Sequence, residues 1–312
     1  MATTLNDQGV LHGDGTLVTN YITGTRVIFG YGYNAAIGGW LSMTNLVNTY
    51  GGVSLDTTGV GTVRTAPAAA GYGGDKAIFG YGKNSSANQN VTNLVSNLGV
   101  VGTDVSGVGT ARSALAAAGY GGDKALFGYG TVVGGGIGVS MTNLVSNTGV
   151  VATDVTGVGT ARFKLAAAGY GGDRAIFGYG TGSTMYISVT NLVSNTGVVG
   201  TDVAGVGTAR FSLAAAGYDY DKAIFGYGFS GVLVSMTNLV SNTGVVAADV
   251  TGVGTARGNL AAGTYGGNKS IFGYGSGSTN ITNLVSNAGV VGSDVTGIGS
   301  AREELAAALY SS

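Results

Sequence analysis

Short apolar segments and Gly-rich turns alternate along the 312-residue chain in a pattern that recurs six times. In one copy, small apolar residues at 115–120 and an aromatic, Gly-rich segment at 124–130 flank a Gly-Gly-Asp turn, which predicts a β-hairpin. After a variable loop, residues 139–146 and 150–155 form two further segments around an Asn-Thr-Gly turn. The pattern predicts four short β-strands in each copy and almost no helix.

Two strings mark the copies most clearly. Phe-Gly-Tyr-Gly recurs at intervals of 47 to 50 residues, beginning at Phe29, Phe79, Phe127, Phe177, Phe225 and Phe272. Thr-Asn-Leu also occurs six times, beginning at Thr44, Thr92, Thr142, Thr190, Thr237 and Thr282. Four-stranded units repeated at this period favour a β-propeller, because the coils of a β-helix are much shorter and helical solenoids lack strands.

The order of the strand signatures indicates how such a ring closes. The first-strand signature, an Arg followed by Leu/Pro-Ala-Ala and a Tyr, occurs for the last time at residues 302–310. The chain begins instead with the second-strand signature at Phe29. We therefore expect residues 304–310 to complete the blade that begins at Arg26. This pairing closes the ring, and a closed ring leaves no sheet edge exposed to aggregation.

This reading divides the chain into two parts. We expect residues 25–312 to form the ring and residues 1–24 to be an N-terminal extension, a candidate for attachment of the protein to a particle. The alternative first strand is residues 17–22, which precede a Thr-Gly step and could pair with the segment from Val27.

Over residues 25–312 the order of elements in each copy resembles that of kelch-type repeats. Each copy has an Arg, a small apolar strand, a turn, an aromatic and Gly-rich strand, a variable loop and two further strands. Gly-Tyr-Gly stands here where kelch repeats have Gly-Gly, and the single Trp, Trp40, lies in a loop. The resemblance implies an all-β, six-bladed β-propeller of four-stranded kelch-like blades. The chain also resembles propeller-type structural proteins of tailed bacteriophages in its composition, which is rich in Gly, Ala, Val and Thr, and in its near-identical copies.

Composition and charge narrow the functions. With 14 Lys and Arg against 15 Asp and Glu, the chain has no basic field to bind nucleic acid, and no apolar stretch is long enough to insert in a membrane. The absence of Cys and the single His, His12, exclude a thiolate nucleophile, a histidine metal cluster and the copper site of kelch-type oxidases. We therefore expect no enzyme activity, no cofactor and no metal.

An Asp stands eight residues before an Arg in every copy. The six pairs fall at the expected blade junctions. We therefore interpret them as a structural clasp, in which the Arg guanidinium holds neighbouring blades together by binding a carboxylate or linker carbonyls. The pairs are Asp56/Arg64, Asp104/Arg112, Asp154/Arg162, Asp202/Arg210, Asp249/Arg257 and Asp294/Arg302. The Phe of each Phe-Gly-Tyr-Gly string is interpreted as core, with Gly allowing close approach.

The positions that differ among the copies are the candidates for binding. They fall in the loop after the second strand and in the two residues after each Arg, which we expect on the same face. Aromatic side chains on loops over a rigid scaffold suit contact with carbohydrate or protein. The candidate binding residues are Tyr33, Trp40, Phe163, Lys164, Tyr186, Phe211 and Phe229.

The sequence thus predicts a non-enzymatic virion protein of a phage, as a tail, fibre or surface decoration module. Its partners are other virion proteins and a polysaccharide or protein of the host cell surface. The first residues show no signal-peptide pattern, so we expect synthesis in the host cytoplasm and a final location in the virion. The alternative is a free bacterial carbohydrate-binding lectin or protein-interaction scaffold.

Overall fold

The computed structural model describes residues 24–133 and 136–311, together with three short strands that precede residue 24. These described residues form strands and turns, with no helix among them. The short strands are β1 (Thr4–Leu5), β2 (Gly9–Leu11) and β3 (Leu17–Val18). A two-stranded ribbon, β11 (Thr131–Val133) and β12 (Ile137–Gly138), extends one of the variable loops.

The other eighteen strands form six antiparallel sheets of three. The inner strands are β6 (Ala68–Tyr72), β9 (Ala116–Tyr120), β14 (Ala166–Tyr170), β17 (Ala214–Tyr218), β20 (Ala261–Tyr265) and β23 (Ala306–Ser311). The middle strands are β4 (Thr25–Asn34), β7 (Lys76–Gly80), β10 (Lys124–Gly128), β15 (Arg174–Gly178), β18 (Lys222–Gly226) and β21 (Lys269–Gly273). The third strands are β5 (Gly39–Val47), β8 (Thr92–Val95), β13 (Thr142–Val145), β16 (Thr190–Val193), β19 (Thr237–Val240) and β22 (Thr282–Val285).

Sheet 1 joins the two ends of the repeat region, in the order β23, β4, β5. Tyr310 lies opposite Arg26 and Ala306 opposite Gly30, which confirms the predicted pairing of the last strand with the segment from Arg26. Strand β3 pairs with β2 in a separate small sheet, and the rest of the alternative segment, residues 19–22, lies outside the described residues. Sheets 2 to 6 follow in chain order from β6–β8 to β20–β22.

The fourth predicted strand does not form a regular strand in the described part of any copy. In sheet 3, the segment 150–155 meets β13 through two isolated bridges, Val145 to Val151 and Thr142 to Val155. The segment has one more residue between its bridges than β13 has, so it bulges. The Asn143 side chain fills this bulge by donating to the carbonyl of Ala152 at 3.0 Å.

The apolar core lies between sheets rather than within one sheet. Each of the six core clusters combines residues of two consecutive sheets, and one of them joins sheet 6 to sheet 1 through Ile271, Tyr274, Phe29 and Val47. The inner strands contact one another in the same order, including β20 with β23 and β23 with β6.

The Phe-Gly-Tyr-Gly string explains this packing. Phe127 of sheet 3 is fully buried, and its ring lies edge-on to Tyr81 of sheet 2 with centroids 5.1 Å apart. Gly80 lies directly under that ring, since an ideal Cβ at Gly80 would come within 2.7 Å of Phe127 Cζ. The prediction of a core Phe with close approach at Gly is therefore confirmed.

Backbone hydrogen bonds link the inner strands at both of their ends. Just before these strands, the N–H groups of Ala66, Ala114, Lys164, Ser212, Asn259 and Glu304 each donate to the carbonyl of the equivalent residue in the preceding sheet, at 2.7–3.0 Å. The series starts and ends at Glu304, whose carbonyl accepts from Ala66. A second series links the hairpin turns at the opposite end, for example from Gly121 N–H to the carbonyl of Asp173 at 2.7 Å.

Candidate functional site

The linker arginines bind two sheets at once, as Arg112 shows. Its guanidinium donates from Nη2 to Asn143 Oδ1 at 2.6 Å, from Nε to the Tyr129 carbonyl at 2.9 Å and from Nη1 to the Thr110 carbonyl at 3.2 Å. Its Cζ also lies 4.4 Å from the ring centroid of Tyr81, a cation–π contact with the preceding sheet. Because Asn143 and Tyr129 belong to sheet 3 and Tyr81 to sheet 2, the arginine joins the two sheets.

The contacts of the Arg with the Asn and with the Tyr ring recur in all six copies, whereas the Nε bond to a carbonyl is formed by Arg112, Arg210, Arg257 and Arg302, and Nε of Arg64 and Arg162 has no partner among the described residues. Each Arg is buried, donates to the Asn of the Thr-Asn-Leu string of the following sheet at 2.6–2.7 Å, and lies 4.0–4.4 Å from the Tyr ring of the preceding sheet. The Asn–Arg–Tyr sets are Asn93–Arg64–Tyr31, Asn143–Arg112–Tyr81, Asn191–Arg162–Tyr129, Asn238–Arg210–Tyr179, Asn283–Arg257–Tyr227 and Asn45–Arg302–Tyr274.

The carboxylate beside each Arg is not the one eight residues before it. Arg112 Nη1 lies 3.7 Å from Asp154 Oδ1 of the following sheet, and Asp104 faces Arg64 instead. The ion pairs within 4.0 Å are Arg64–Asp104, Arg112–Asp154, Arg162–Asp202, Arg210–Asp249 and Arg302–Asp56. In the remaining copy Asn283 connects Arg257 to Asp294 through hydrogen bonds of 2.7 and 2.9 Å.

Each of these carboxylates also caps the preceding linker. Asp154 accepts hydrogen bonds from Thr110 Oγ1 at 2.6 Å, from Thr110 N–H at 3.0 Å and from Asn143 Nδ2 at 2.9 Å. Partial burial raises the pKa of Asp154, but these hydrogen bonds and the charge of Arg112 outweigh it, so the pKa lies below its ordinary value. The folded state therefore favours the ionised carboxylate.

The tyrosines of the network are kept neutral. Burial raises the pKa of Tyr81 to about 12, although the nearby charge of Arg112 acts in the opposite direction. Its hydroxyl donates to the Val108 carbonyl at 3.1 Å, in the linker that follows its own sheet. Sequence reasoning identified the Asp and Arg of this network but not the Asn and Tyr, although both stand at fixed places in the repeated strings.

The variable residues do lie together, at the end of the sheets where the linkers enter the inner strands. In five sheets the residue after the Arg pairs with the first residue of the loop that follows the middle strand, as the bridges of Phe163 with Thr181 and Phe211 with Phe229 show, and in sheet 6 Ser276 N–H donates to the Gly258 carbonyl. Thr65, Ser113 and Glu303 form the equivalent bridges in sheets 2, 3 and 1. The prediction that loops and linker exits share one face is confirmed, and this face is called the loop face.

Three of the candidate binding residues form an aromatic cluster on the loop face, defined as Tyr186, Phe211 and Phe229. Their ring centroids lie 4.9 Å apart for Tyr186 and Phe211, 5.4 Å for Phe211 and Phe229, and 6.1 Å for Tyr186 and Phe229. The Lys164 ammonium lies 5.6 Å from the Phe211 centroid. All three rings remain partly exposed, and Tyr186 keeps 38% of its surface. The cluster bridges sheets 4 and 5.

Exposed apolar residues of the same two loops extend this surface. Met185 and Val232 keep about two thirds of their surfaces exposed, and Leu233 pairs with Phe229. Sequence reasoning had missed them because it considered only the aromatic residues of the variable loops. Phe163 lies apart from the cluster, with its ring beside Gly136 in the loop of the preceding sheet.

Tyr33 and Trp40 form a separate pair on sheet 1. They lie opposite each other on β4 and β5, with ring centroids 5.6 Å apart. The Trp40 Nε1 atom is buried and has no hydrogen-bond partner within the described part of the chain, and Tyr33 pairs through its backbone with Glu303. The seven candidate residues therefore do not form one continuous site: Lys164 adjoins the aromatic cluster, Phe163 lies apart from it, and Tyr33 and Trp40 form a pair on sheet 1.

A small depression, called the polar cup, lies at the centre of the loop face. Its rim contains Lys164, Ser212, Asn259 and Glu304 of the backbone hydrogen-bond series, and apolar side chains such as Leu213 line its floor. Its volume is about 80 Å³. A second cavity of about 280 Å³ opens at the turn end between the inner strands, and its walls are mostly Ala and Gly.

The described residues contain no group of three or more His, Cys, Asp or Glu side chains able to hold a metal ion. His12 lies outside the described residues. Across the part of the chain that the structure describes, no helix is long and apolar enough to cross a membrane.

Comparison with protein-family models and with curated proteins finds no match for this chain. The resemblance to kelch-type repeats and to phage structural proteins therefore depends on the sequence pattern alone.

Proposed function

We propose that the six sheets are the blades of a closed six-bladed β-propeller. The core cluster shared by sheets 6 and 1 supports this arrangement, as do the two series of backbone hydrogen bonds that return to sheet 1. The edge-on contact of Phe29 with Tyr274 repeats, between the last sheet and the first, the contact found between all other neighbours. Each blade then has three regular strands and one bulged outer segment, unlike a four-stranded kelch blade.

We further propose that the protein is a non-enzymatic binding protein that uses the loop face. The observation that carries this proposal is the aromatic cluster, because three partly exposed rings meet at positions where the six copies differ. Side chains required by the fold are nearly identical in all copies, whereas the position of Phe211 holds Thr, Ser, Phe, Gly or Glu in the other copies and that of Phe229 holds Tyr, Lys, Thr or Ser. Aromatic clusters on loops of a rigid scaffold are typical of binding surfaces.

The particle in which the protein acts is proposed from the sequence alone. We propose a phage virion, in which the loop face contacts the host surface or a neighbouring virion protein. The near-identical copies and the low charge favour this setting. A free bacterial lectin or interaction scaffold is the alternative, and the same binding face serves either.

The experiment is binding of fluorescently labelled protein to a panel of bacterial cells. We expect saturable binding that falls at least tenfold in the Tyr186→Ala/Phe211→Ala double variant. Tyr50→Ala is the matched control, because Tyr50 is equally aromatic and 77% exposed but lies in the turn after β5, away from the loop face. Absence of binding to every cell type, or equal binding by both variants, would contradict the proposal.

A further inference from the structure

We infer that the aromatic cluster and the polar cup form one binding site for a neutral saccharide. The inference rests on the proposed binding function and specifies its ligand. Lys164 connects the two features, since it forms part of the rim of the cup and its ammonium lies 5.6 Å from the Phe211 ring. Ser212 follows Phe211 in the chain and also lies at the rim.

The aromatic cluster provides the apolar half of the site. A pyranose ring presents C–H groups on one face and hydroxyl groups around its edge, and C–H groups pack favourably on the electron-rich face of an aromatic ring. The planes of the Tyr186 and Phe211 rings are inclined by 49°, so they offer a C–H-rich ligand two differently oriented apolar surfaces. Leu233 pairs with Phe229 through its backbone and adds a partly exposed apolar residue to this loop.

The polar cup provides the hydrogen-bonding half. Ser212 lines the polar cup and is 92% buried, and its Oγ atom, which is itself buried, has no hydrogen-bond partner among the residues that the structure describes. A buried hydroxyl without a partner is unfavourable, so a ligand hydroxyl that reaches Ser212 Oγ gains a hydrogen bond that the free protein lacks. The volume of about 80 Å³ suits a single hydroxyl or hydroxymethyl group, with the sugar ring outside on the aromatic cluster.

The charges around the cup select a neutral ligand. Lys164 Nζ lies 4.0 Å from Glu304 Oε1, and Glu304 Oε2 accepts a hydrogen bond from Thr65 Oγ1 at 2.7 Å. The neighbouring carboxylate of Glu303 accepts from Asn259 Nδ2 at 3.3 Å. Two carboxylates against one ammonium repel a uronic or sialic acid, whereas the mixture of donors and acceptors matches hydroxyl groups, which both donate and accept.

The test begins with the cells that the labelled protein binds. Periodate oxidises vicinal diols of sugars, and proteinase K removes surface proteins. We expect binding to be lost after periodate and to survive proteinase K. On an array of immobilised oligosaccharides, we expect binding to neutral hexose or N-acetylhexosamine ends and none to ends with sialic or uronic acid.

Ser212→Ala tests the cup without disturbing the fold, because Ala66 and Ala114 occupy the equivalent positions of sheets 2 and 3 with the same positive φ of about 50°. We expect it to weaken binding to the array about tenfold, as loss of one buried hydrogen bond predicts. The control is Ser86→Ala, on an exposed loop of sheet 2.

Different failures are distinguishable. Cell binding that needs Tyr186 and Phe211 but is lost after proteinase K and survives periodate would overturn the saccharide and leave the binding function intact. Preference for acidic sugars, or unchanged affinity in Ser212→Ala, would also overturn this inference alone. Absence of binding to any cell would overturn both proposals.

Discussion

The linkers between sheets and the loops after the middle strands lie at the same end of the molecule, yet they differ in how far the six copies have diverged. Every linker carries the same Arg, and each Arg binds an Asn of one sheet and a Tyr ring of another. The loops vary in sequence and in length, and most of their described residues are partly or fully exposed. A residue that binds two sheets cannot be replaced without breaking contacts in both of them, so its identity is the same in every copy. A loop residue that faces solvent makes fewer contacts, so its identity varies among the copies.

The largest expected effect comes from removing a linker arginine. In Arg112→Ala, the amide oxygen of Asn143 and the carbonyl of Tyr129 lose their donor in a buried site, and Asp154 loses its neighbouring charge. We expect the free energy of unfolding to fall by about 3–5 kcal/mol. Urea denaturation of the variant and the wild type measures this difference.

The matched control is Lys124→Ala, which removes a cation that is nearly half exposed. We expect it to change stability by no more than about 1 kcal/mol. Equal effects of the two substitutions would mean that the linker arginines do not hold the sheets together, and the clasp interpretation would fail.

The next effect concerns the carboxylates of the same network. The pKa of Asp154 is held below its ordinary value of 3.8, so its stabilising contribution is complete above that pH and is lost as the pH falls through the folded-state pKa. The five equivalent Asp residues have lowered pKa values for the same reasons. We therefore expect acid to destabilise the protein below about pH 4.

Asp154→Asn isolates one of these six contributions. At pH 7 we expect a loss of about 1.5–3 kcal/mol, because hydrogen bonds to a charged acceptor are replaced by weaker ones. The difference from wild type should shrink between pH 7 and pH 3 in urea denaturation. A difference that grows on acidification would show that Asp154 is not preferentially ionised in the folded state.

A smaller effect is expected from filling the space between two sheets. In Gly128→Ala, the new Cβ comes within 2.6 Å of Phe177 Cζ, and the Phe177 side chain is fully buried and has no room to retreat. We expect a loss of about 1–3 kcal/mol. Gly102→Ala is the control, because its nearest contact is 3.4 Å and sheets 3 and 5 carry Ala152 and Ala247 at the equivalent place. Similar melting temperatures for both variants would contradict the close packing.

The smallest effect is expected in the loop face. Phe163→Ser installs the residue that sheet 3 already has at Ser113, in the same bridge to the following loop. We expect stability to change by about 1 kcal/mol at most, because the Phe163 ring is only partly buried. A loss comparable to that of Arg112→Ala would remove the distinction between linkers and loops.

Much of the architecture is visible in the sequence because the repeated strings correspond to repeated contacts. The inner and middle strands, the hairpin turns and the pairing of the last strand with the first follow from the spacing of Tyr, Phe and Gly. The fourth strand was predicted wrongly, because alternation alone does not reveal that the Asn143 side chain replaces a backbone partner and admits an extra residue. Sequence spacing also gave no sign that Arg112 faces Asp154 rather than Asp104, since each linker lies between two sheets.

The candidate site was less accessible to sequence reasoning. The aromatic residues were identified one by one, but their grouping depends on the shape of two loops of different length. Tyr186 and Phe229 come from separate loops and meet over Phe211 only because sheets 4 and 5 are adjacent. The unpartnered Ser212 hydroxyl has no signature in the sequence at all.

The pairing of β23 with β4 has a consequence for how the chain reaches its final structure. Arg302 Nε donates to the Tyr31 carbonyl across a sequence separation of 271, so sheet 1 is assembled from segments that are synthesised far apart in time. Sheets 2 to 6 are each local in sequence and can form as the nascent polypeptide emerges. Until the last segment arrives, β4 presents an unpaired edge, and ribosome-bound intermediates are at greatest risk of pairing with a neighbouring nascent chain there.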